Sequence, residues 1–325
     1  MAVPDAFPGD LPVDVEIGRT EAGRAWLASV PGIVADLEDR WDVKTGSPYR
    51  GGSAAWVAPA TRADGSRAVL KVTWPHREAR HEHTGLAHWN GDGAVRLLEA
   101  DPERYALLVE RCEPGTELSA GGLDVDAALS VGGQLLRHLW SREPAAACDL
   151  EEVGVVTGQW AGLVRERMER FRPPFDAGLV EAGAGLLESL PATASRRVVV
   201  HGDFNPGNIL AAEREPWLAI DAKPMVGDPG YDPMPLVLQV GVQHEGVLPD
   251  AEIDRRYRLI SDLVAEPVER LLAWTLARSV ESALWEVSGG RPARAARDMA
   301  RAAAAARVLQ QWSGQGRKGC DEVRW

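Results

Sequence analysis

The hydrophobic pattern of this chain changes near residue 113, and this change limits the folds that the chain can form. Before that point, four short β-prone runs flank one helical segment, in the order strand, strand, helix, strand, strand: 54–58, 68–73, 77–89, 94–98 and 105–109. A helix interrupted by Pro31 is predicted upstream of them, at 24–41. This order favours an antiparallel sheet with one helix packed on it.

Helices dominate after a turn signal at Glu113-Pro114-Gly115-Thr116. They are predicted at 125–140, 158–170, 177–190, 251–264, 267–287 and 293–311, and one exception, 197–221, contains short strands around a polar loop. We therefore predict an α+β fold of two lobes. The N-lobe, 1–112, holds the small antiparallel sheet, and the C-lobe, 113–325, is larger and mainly helical. A cleft between two such lobes suits a small-molecule ligand.

Composition narrows the class of partner. The chain has 36 basic and 48 acidic residues, a formal net charge of −12, which argues against a nucleic-acid-binding surface. The same charge favours a cationic ligand or serves solubility alone. No apolar stretch has the length of a membrane span, and the first twelve residues lack the apolar core of a secretory signal. Because the three cysteines are widely spaced, a reducing, cytoplasmic location is expected.

The segment His201-Gly202-Asp203-Phe204-Asn205-Pro206-Gly207-Asn208 carries the clearest chemical signal. Asp221 follows, at the end of an apolar run. Phosphoryl transfer needs a carboxylate to orient the acceptor hydroxyl and oxygen ligands for Mg²⁺, and Asp203, Asn208 and Asp221 are side chains of those kinds. Taken alone, Asp203 and Asn208 are also typical turn residues, and His201 is predicted to support the loop.

This motif resembles the catalytic loop of the aminoglycoside phosphotransferases, which reads His-Gly-Asp where protein kinases have His-Arg-Asp. The stretch 208–232 is similar to the branch containing streptomycin 6-kinases and hydroxyurea phosphotransferases, and the resemblance covers 24–311. It implies a protein-kinase-like fold, ATP and Mg²⁺ as cofactors, Asp203 as catalytic base, and Asn208 and Asp221 as Mg²⁺ ligands. Family members often have Leu-His in place of Phe204 and Asn205, and this difference bears on acceptor identity.

The nucleotide-binding residues are predicted in the N-lobe. Lys71, on the apolar run 68–73, resembles the kinase lysine that contacts the α- and β-phosphates. Its acidic partner is expected on the next helix, where Glu78 and Glu82 share a face and the resemblance favours Glu82. Ser53, beside Gly51 and Gly52, is predicted to lie in a loop that covers the phosphates.

The remaining predicted contacts belong to adenine and to the acceptor. Glu110 and Cys112 are candidates for backbone contact with adenine. Asp228 is either an acceptor-binding carboxylate or a structural residue, and Asp232, which precedes Pro233, is predicted to cap the next helix. A helical stripe is either core packing or an acceptor-binding surface on which Trp could stack and Glu could bind a cation: Trp274, Arg278, Glu281 and Trp285.

Three functional hypotheses follow. The first is an ATP-dependent O-phosphotransferase of the streptomycin 6-kinase type, whose acceptor is a cationic aminoglycoside or amino sugar. The second keeps the reaction but changes the acceptor to hydroxyurea or another small metabolite. The third is a nucleotide-binding pseudokinase, which would be expected to lack one of Lys71, Asp203, Asn208 or Asp221. Acceptor identity, the choice between ATP and GTP, and oligomeric state do not follow from these patterns.

Overall fold

The chain divides into two compact units. The computed structural model describes residues 11–145, 148–242 and 246–321. The first unit contains the chain up to Gly115 together with Ala211–Lys223, and the second contains Thr116–Leu210 and the chain from Pro224 onward. The first unit's N-terminal part thus ends at Gly115, three residues after the predicted end of the N-lobe at residue 112. The return of Ala211–Lys223 to the first unit differs from the prediction, which placed that segment in the C-lobe.

A five-stranded antiparallel sheet forms the centre of the first unit. Its strands are β1 (Val43–Thr45), β2 (Ala55–Arg62), β3 (Arg67–Thr73), β4 (Leu97–Asp101) and β5 (Ala106–Glu110). They are ordered β1-β2-β3-β5-β4, so β3 lies in the middle and Lys71 pairs with Val57 on one side and Leu107 on the other. The strand predicted at 94–98 begins three residues later than expected.

Three helices accompany this sheet: α1 (Pro12–Ile17), α2 (Glu21–Trp41) and α3 (Glu82–Trp89). The buried face of α2, which includes Val30 and Leu37, belongs to the same core as Leu70 and Leu108 of the sheet. Pro31 does not interrupt α2, contrary to the prediction. It lies on the exposed face, so packing of the opposite face offsets the lost backbone hydrogen bond.

The second unit is mainly helical. Its helices are α4 (Val125–Leu139), α5 (Val153–Phe171), α6 (Ala177–Ser189), α7 (Pro233–Gln239), α8 (Asp250–Val264), α9 (Val268–Ser288) and α10 (Pro292–Asp321). Helix α9 is largely buried, with Leu272, Trp274, Ala277 and Leu284 fully buried or nearly so. It packs against α5, α6 and α10.

Four short strands lie around the polar loop. They are β6 (Val198–Val200), β7 (Ile209–Ala211), β8 (Trp217–Ala219) and β9 (Met225–Gly227). In the second unit, β6 pairs antiparallel with β9, which fixes the start of the loop that carries Asp203. β8 belongs to the first unit. Within the described ranges, no helix combines the length and the apolar composition required to cross a bilayer.

Candidate active site

In the first unit, Lys71 lies between two carboxylates. Its Nζ donates to Glu82 Oε1 and Oε2 at 2.7 and 2.8 Å, and to Asp221 Oδ1 at 2.5 Å. Burial alone would lower the pKa of Lys71, but the negative charges of Asp221 and Glu82 outweigh it and raise the pKa. Lys71 is therefore a fixed positive charge at neutral pH, held in one orientation by two partners.

Glu82, and not Glu78, is the partner of Lys71 in this structure. Glu82 is the first residue of α3 and is 5% exposed. Burial raises the pKa of Glu82, the Lys71 ammonium opposes this rise, and Asp221 adds to it. Glu78 lies in a separate 3₁₀ turn, Arg77–Ala79, and is exposed. The helix predicted at 77–89 is thus broken before Glu82, and the break separates the two acidic side chains.

Asp221 reaches this group because its segment joins the first unit. β8 is attached there by two backbone hydrogen bonds, from Ala219 N to Gly93 O at 3.0 Å and from Val95 N to Ala219 O at 3.1 Å. Asp221 has a φ of +56°, in the left-handed region, which is uncommon outside glycine and recurs at functional sites. Its side chain is 45% exposed, so the carboxylate is accessible to a ligand as well as to Lys71.

Ser53 lies in the connection between β1 and β2. The two strands are antiparallel neighbours, and Ser53 is exposed just before β2 begins. Gly52 adopts a φ of +85°, a conformation that glycine enters at little cost. An exposed, glycine-containing connection between the first two strands is compatible with the predicted phosphate-covering loop.

The two predicted adenine-binding residues, Glu110 and Cys112, differ in which backbone groups are available for hydrogen bonding. The Glu110 N–H donates to Arg96 O at 2.9 Å and is already used within the sheet. The Glu110 carboxylate accepts from Arg214 Nε and Nη2 at 2.8 and 2.9 Å. Burial would raise the pKa of Glu110, but Arg214 and the Arg96 N–H lower it overall. Any contact between the Glu110 backbone and adenine is therefore left to its carbonyl group.

Cys112 follows in the segment that leaves β5. Burial, reinforced by the nearby Glu110 charge, raises the pKa of its thiol to about 12, so the thiol stays protonated and unreactive at neutral pH. Within the described chain, the Cys112 N–H donates to no backbone carbonyl. That N–H is the more suitable of the two predicted adenine contacts.

In the second unit, Asp203 and Asn208 are parts of one compact loop. Asn208 Nδ2 donates to Asp203 O at 2.9 Å, and Asn208 N donates to Asn205 O at 3.0 Å. His201 is fully buried, and its Nδ1 accepts from Asp203 N at 3.3 Å. Its ring also packs edge-on against Phe204, 5.3 Å between centroids. These contacts agree with the supporting role predicted for His201.

Asp232 binds the backbone at the start of this loop, a role that the sequence did not predict. Its Oδ2 accepts from His201 N at 2.7 Å and Trp140 Nε1 at 3.1 Å, and its Oδ1 accepts from Gly202 N at 2.8 Å. Burial raises the pKa of Asp232, while these donors favour the charged form. Asp232 does stand at the start of α7, but its side chain makes no capping hydrogen bond, so the predicted cap is wrong.

Asp228 and Trp274 are bound to each other in the interior. Asp228 is 1% exposed, and its Oδ2 accepts from Trp274 Nε1 and from Arg270 Nη2, each at 2.5 Å. Asp228 also accepts from Gly230 N at 2.9 Å, capping the short 3₁₀ turn there. An indole with 0% exposure has no face available for a sugar. Their burial speaks against the predicted acceptor contacts and favours the packing interpretation.

Of the other two predicted acceptor residues, Trp285 is exposed, whereas only 15% of the Glu281 side chain is exposed. Glu281 Oε1 accepts from Arg167 Nη1 at 3.2 Å, so its charge is partly neutralised. Trp285 is 50% exposed, and the Arg291 guanidinium lies over its ring at 4.5 Å. The helical stripe is thus core at Trp274 and surface at Trp285, and acceptor contact by Glu281 and Trp285 stays a prediction.

Two basic residues near the site were also missed. Arg214 orients Glu110, and Lys223 lies close enough to Glu82 for its charge to lower the pKa of that carboxyl against the effect of burial. The position of Lys223, two residues after Asp221, was a usable signal. Nothing in the sequence pairs Arg214 with Glu110, 104 residues away.

Comparison with known proteins places this arrangement in context. Residues 40–290 match the family described as aminoglycoside/hydroxyurea antibiotic resistance kinase. Over 289 residues, the chain is 38% identical to streptomycin 6-kinase of Streptomyces griseus, covering 88% of this chain and 92% of that protein. Over 283 residues, it is 39% identical to hydroxyurea phosphotransferase of Kitasatospora aureofaciens, covering 86% and 79% respectively.

Solved structures extend the likeness to the fold. The chain superimposes on choline kinase LicA from Streptococcus pneumoniae with a TM-score of 0.57 at 15% sequence identity, covering 84% of this chain and 99% of that one. At this identity the likeness concerns the fold alone. Together with the five-stranded antiparallel sheet and the mainly helical remainder, it confirms the predicted kinase-like α+β fold.

Proposed function

We propose, because the chain belongs to the aminoglycoside/hydroxyurea antibiotic resistance kinase family, that it transfers the γ-phosphoryl group of ATP to a hydroxyl of an aminoglycoside, as a streptomycin 6-kinase does. Membership of this family makes the chain a phosphotransferase that acts on an alcohol group. The observation that carries the choice of acceptor is the 38% identity to streptomycin 6-kinase, which extends over 92% of that protein.

The Lys71 group, which consists of Lys71, Glu82 and Asp221, supports nucleotide binding. A buried ammonium with two carboxylate partners is fixed in direction before any ligand arrives, so little ordering is required when phosphate binds. We assign Lys71 to the α- and β-phosphates of ATP, with Glu82 holding it in place. Ser53 would contribute to the loop over the phosphates, and the Cys112 N–H and Glu110 carbonyl would contact adenine.

Asn208 and Asp221 each carry a side-chain oxygen of the kind that binds Mg²⁺, and we propose them as its ligands. Asn208 Nδ2 donates to Asp203 O, which leaves Oδ1 as an acceptor with no hydrogen-bond partner in the part of the chain described. The half-exposed Asp221 carboxylate adds a charged oxygen. Mg²⁺ takes one or two protein ligands of this kind and completes its shell with phosphate and water. When bound, it neutralises charge on the phosphates being transferred.

Asp203 is the proposed catalytic base. Its carboxylate would accept a hydrogen bond from the acceptor hydroxyl and align that oxygen with the γ-phosphorus. It would take the proton as the new P–O bond forms and the bond from the γ-phosphorus to the β,γ-bridging oxygen breaks, with ADP as the leaving group. Since the transition state of phosphoryl transfer is loose, alignment contributes more than early removal of the proton. The second unit keeps Asp203 in a loop whose backbone is held by His201, Asn208 and Asp232.

Hydroxyurea is the second candidate acceptor, and the 39% identity to hydroxyurea phosphotransferase favours it. The phosphate-handling residues would act in the same way on either acceptor. The two candidates differ in size and charge, because streptomycin carries two guanidinium groups and hydroxyurea is neutral. The acceptor-binding surface, with Glu281 and Trp285 as candidates, would decide between them.

An acceptor screen tests the proposal. Purified protein with ATP and Mg²⁺ would be given streptomycin, hydroxyurea or no acceptor, ADP release would be followed, and the phosphorylated position would be located by ³¹P NMR. We expect acceptor-dependent ADP release with streptomycin and a phosphate at its 6-hydroxyl. Phosphorylation of hydroxyurea alone would select the second candidate, and no acceptor-dependent release with any compound would refute the assignment. Asp203→Asn serves as the inactive control, with a loss of roughly 10²- to 10⁴-fold in kcat.

A further inference from the structure

Asn205 contacts the proposed catalytic base directly. Its Nδ2 lies 3.3 Å from Asp203 Oδ1 and 3.3 Å from Asp203 O. The same side chain accepts, at Oδ1, a hydrogen bond of 2.9 Å from Gly207 N. One amide thus connects the Asp203 carboxylate to the turn that follows it.

The chemistry of the neighbours fixes which end of the amide faces Asp203. The Gly207 N–H is a donor and requires an oxygen, whereas both Asp203 atoms are acceptors and require a donor. The reversed orientation would place two oxygens together at Asp203 and two donors together at Gly207. The orientation with Nδ2 on Asp203 is the only one that satisfies both contacts.

The turn by itself does not require asparagine. Asn205 caps the 3₁₀ turn Pro206–Asn208 by accepting from Gly207 N, and Asp or Ser would serve equally well in that position. Neither would place a neutral N–H donor against Asp203 Oδ1. The donor end of the amide therefore does something that the cap does not need.

The position of the amide also depends on Gly207. A Cβ built at Gly207 would lie 3.1 Å from Asn205 Oδ1, so the absence of a side chain there leaves the space that the amide occupies. Asn205 N donates to Asp203 O at 2.9 Å, which draws the two residues together through the backbone as well. A donor held this firmly can fix the plane of the carboxylate it contacts.

We infer that Asn205 is a positioning residue for the phosphoryl transfer, and that its Nδ2 orients the Asp203 carboxylate toward the acceptor hydroxyl. This inference rests on the proposed function, because it requires Asp203 to be the group that aligns the acceptor. It extends that function by assigning a residue that touches neither nucleotide nor metal in the proposed mechanism. Loss of Nδ2 should lower kcat while leaving the KM for ATP unchanged.

Two substitutions separate positioning from capping. Asn205→Asp and Asn205→Ser both keep an oxygen for Gly207 N, and both remove the donor to Asp203 Oδ1. Asp adds a negative charge and Ser adds none, so agreement between the two variants would exclude a simple charge effect. For both we expect a kcat roughly 10- to 100-fold below wild type, the range associated with small misplacement of a reacting group.

The measurements are kcat and KM for ATP and for the acceptor, with thermal unfolding of each variant. The expected result is a fall in kcat with a KM for ATP within about twofold of wild type and an unchanged Tm. Asn205→His, which can still present an N–H donor, should retain more activity than Asn205→Ser. Asn90→Asp, an exposed residue that ends α3, is the matched control for introducing the charge.

Three outcomes would overturn the inference. A kcat for Asn205→Ser within twofold of wild type would show that the donor is not needed. A fall in kcat accompanied by equal losses in Tm or in ATP affinity would show that Asn205 acts only through the turn. If the wild-type protein phosphorylates no acceptor, the proposed function fails and this inference fails with it. If the wild-type protein is active and the Asn205 variants are equally active, only this inference fails.

Discussion

Among single residues, Lys71, Glu82 and Asp221 form a charged group in the first unit in which each carboxylate raises the pKa of the lysine. One ammonium serves two carboxylates, of which Glu82 is buried and Asp221 is half exposed. Removing one partner of a buried pair leaves the other charge desolvated and unpaired, which costs more than the pair contributes. Substitutions here should therefore affect both nucleotide binding and stability, and the two effects can be separated by choice of variant.

Lys71→Met should raise the KM for ATP by at least tenfold and lower the free energy of unfolding by roughly 3–5 kcal/mol. Glu82→Gln removes the charge that holds Lys71 but keeps the shape of the side chain, so its KM for ATP should rise less. Glu78→Gln is the matched control on an exposed residue outside the group. Steady-state kinetics with varied ATP, together with urea unfolding, measure both quantities. Equal effects of Glu78→Gln and Glu82→Gln would contradict the assignment of the partner.

At the scale of secondary-structure elements, α9 links the interior of the second unit to its surface. Its first half carries Arg270 and Trp274, which contact the buried Asp228. Its second half carries Glu281, paired with Arg167 of α5, and the exposed Trp285. The same helical stripe therefore changes from packing to surface along its length, because the neighbouring elements do not cover all of it.

Trp274 and Trp285 should respond oppositely to replacement. Trp274→Ala removes a fully buried indole and the donor to Asp228, and should cost about 3–5 kcal/mol of unfolding free energy. Trp285→Ala should cost less than about 1 kcal/mol, since half of the side chain is exposed and its ring lies against the Arg291 guanidinium at the surface. Denaturant unfolding measures both. If Trp285 also binds the acceptor, its variant will show a raised acceptor KM at nearly normal stability.

The start of α8 supplies a prediction for acid pH. Hydrogen bonds from Arg255, together with Arg256, lower the pKa of Glu252 to about 2. Arg256 in turn donates to Val237 O and Val240 O at the end of α7, each at 2.8 Å. The folded pKa lies below the unfolded value, so ionised Glu252 stabilises the fold above about pH 4.3, and this contribution is lost as pH falls toward 2.

Glu252→Gln should therefore reduce the pH dependence of stability on the acid side. The difference in Tm between pH 6 and pH 3 should be smaller in this variant than in wild type, because the variant has no charge to lose at that position. Glu269→Gln, at an exposed position in the first turn of α9, should leave the difference unchanged. Thermal scans at several pH values test this, and identical acid profiles for wild type and Glu252→Gln would contradict it.

At the scale of the whole molecule, chain connectivity and net charge matter most. The chain passes from the second unit to the first at Ala211 and returns at Pro224. Asp203 and Asp221, eighteen residues apart in sequence, are thereby supplied to different units. The formal net charge of −12 surrounds both units with a field that attracts cations.

Salt should affect the two candidate acceptors differently. With saturating ATP and Mg²⁺, kcat/KM for streptomycin should fall about three- to tenfold between low and high ionic strength, because salt screens attraction of a polycation to an acidic protein. The value for neutral hydroxyurea should change little. Initial rates across a series of KCl concentrations provide the measurement. A salt response of equal size for both acceptors would show that net charge plays no part in acceptor capture.

Much of the arrangement follows from local sequence. Short β-prone runs predicted the strands that became β2, β3 and β5, and helical periodicity predicted α4, α6, α8 and α9 to within two residues at each end. The helices could be predicted because each must bury one face, which imposes a period of 3.6 residues. The strands could be predicted because β-prone residues lie together between turn signals. The kinase-like fold, the phosphotransferase family and the loop around Asp203 could also be predicted, because the motifs that indicate them lie in short contiguous stretches of sequence.

Short stretches of sequence do not specify which distant side chains become partners, and these pairings depend on the tertiary structure. In the uninterrupted helix that the sequence predicted, Glu78 and Glu82 would share a face. The break before α3 separates them, and Glu82 is the one that pairs with Lys71. Asp228 and Asp232 both precede prolines, yet one binds Arg270 and Trp274 while the other supports His201 and Gly202. A side chain's partner depends on which distant elements pack around it. Periodicity along one segment therefore specifies its buried face but not the groups that this face will meet.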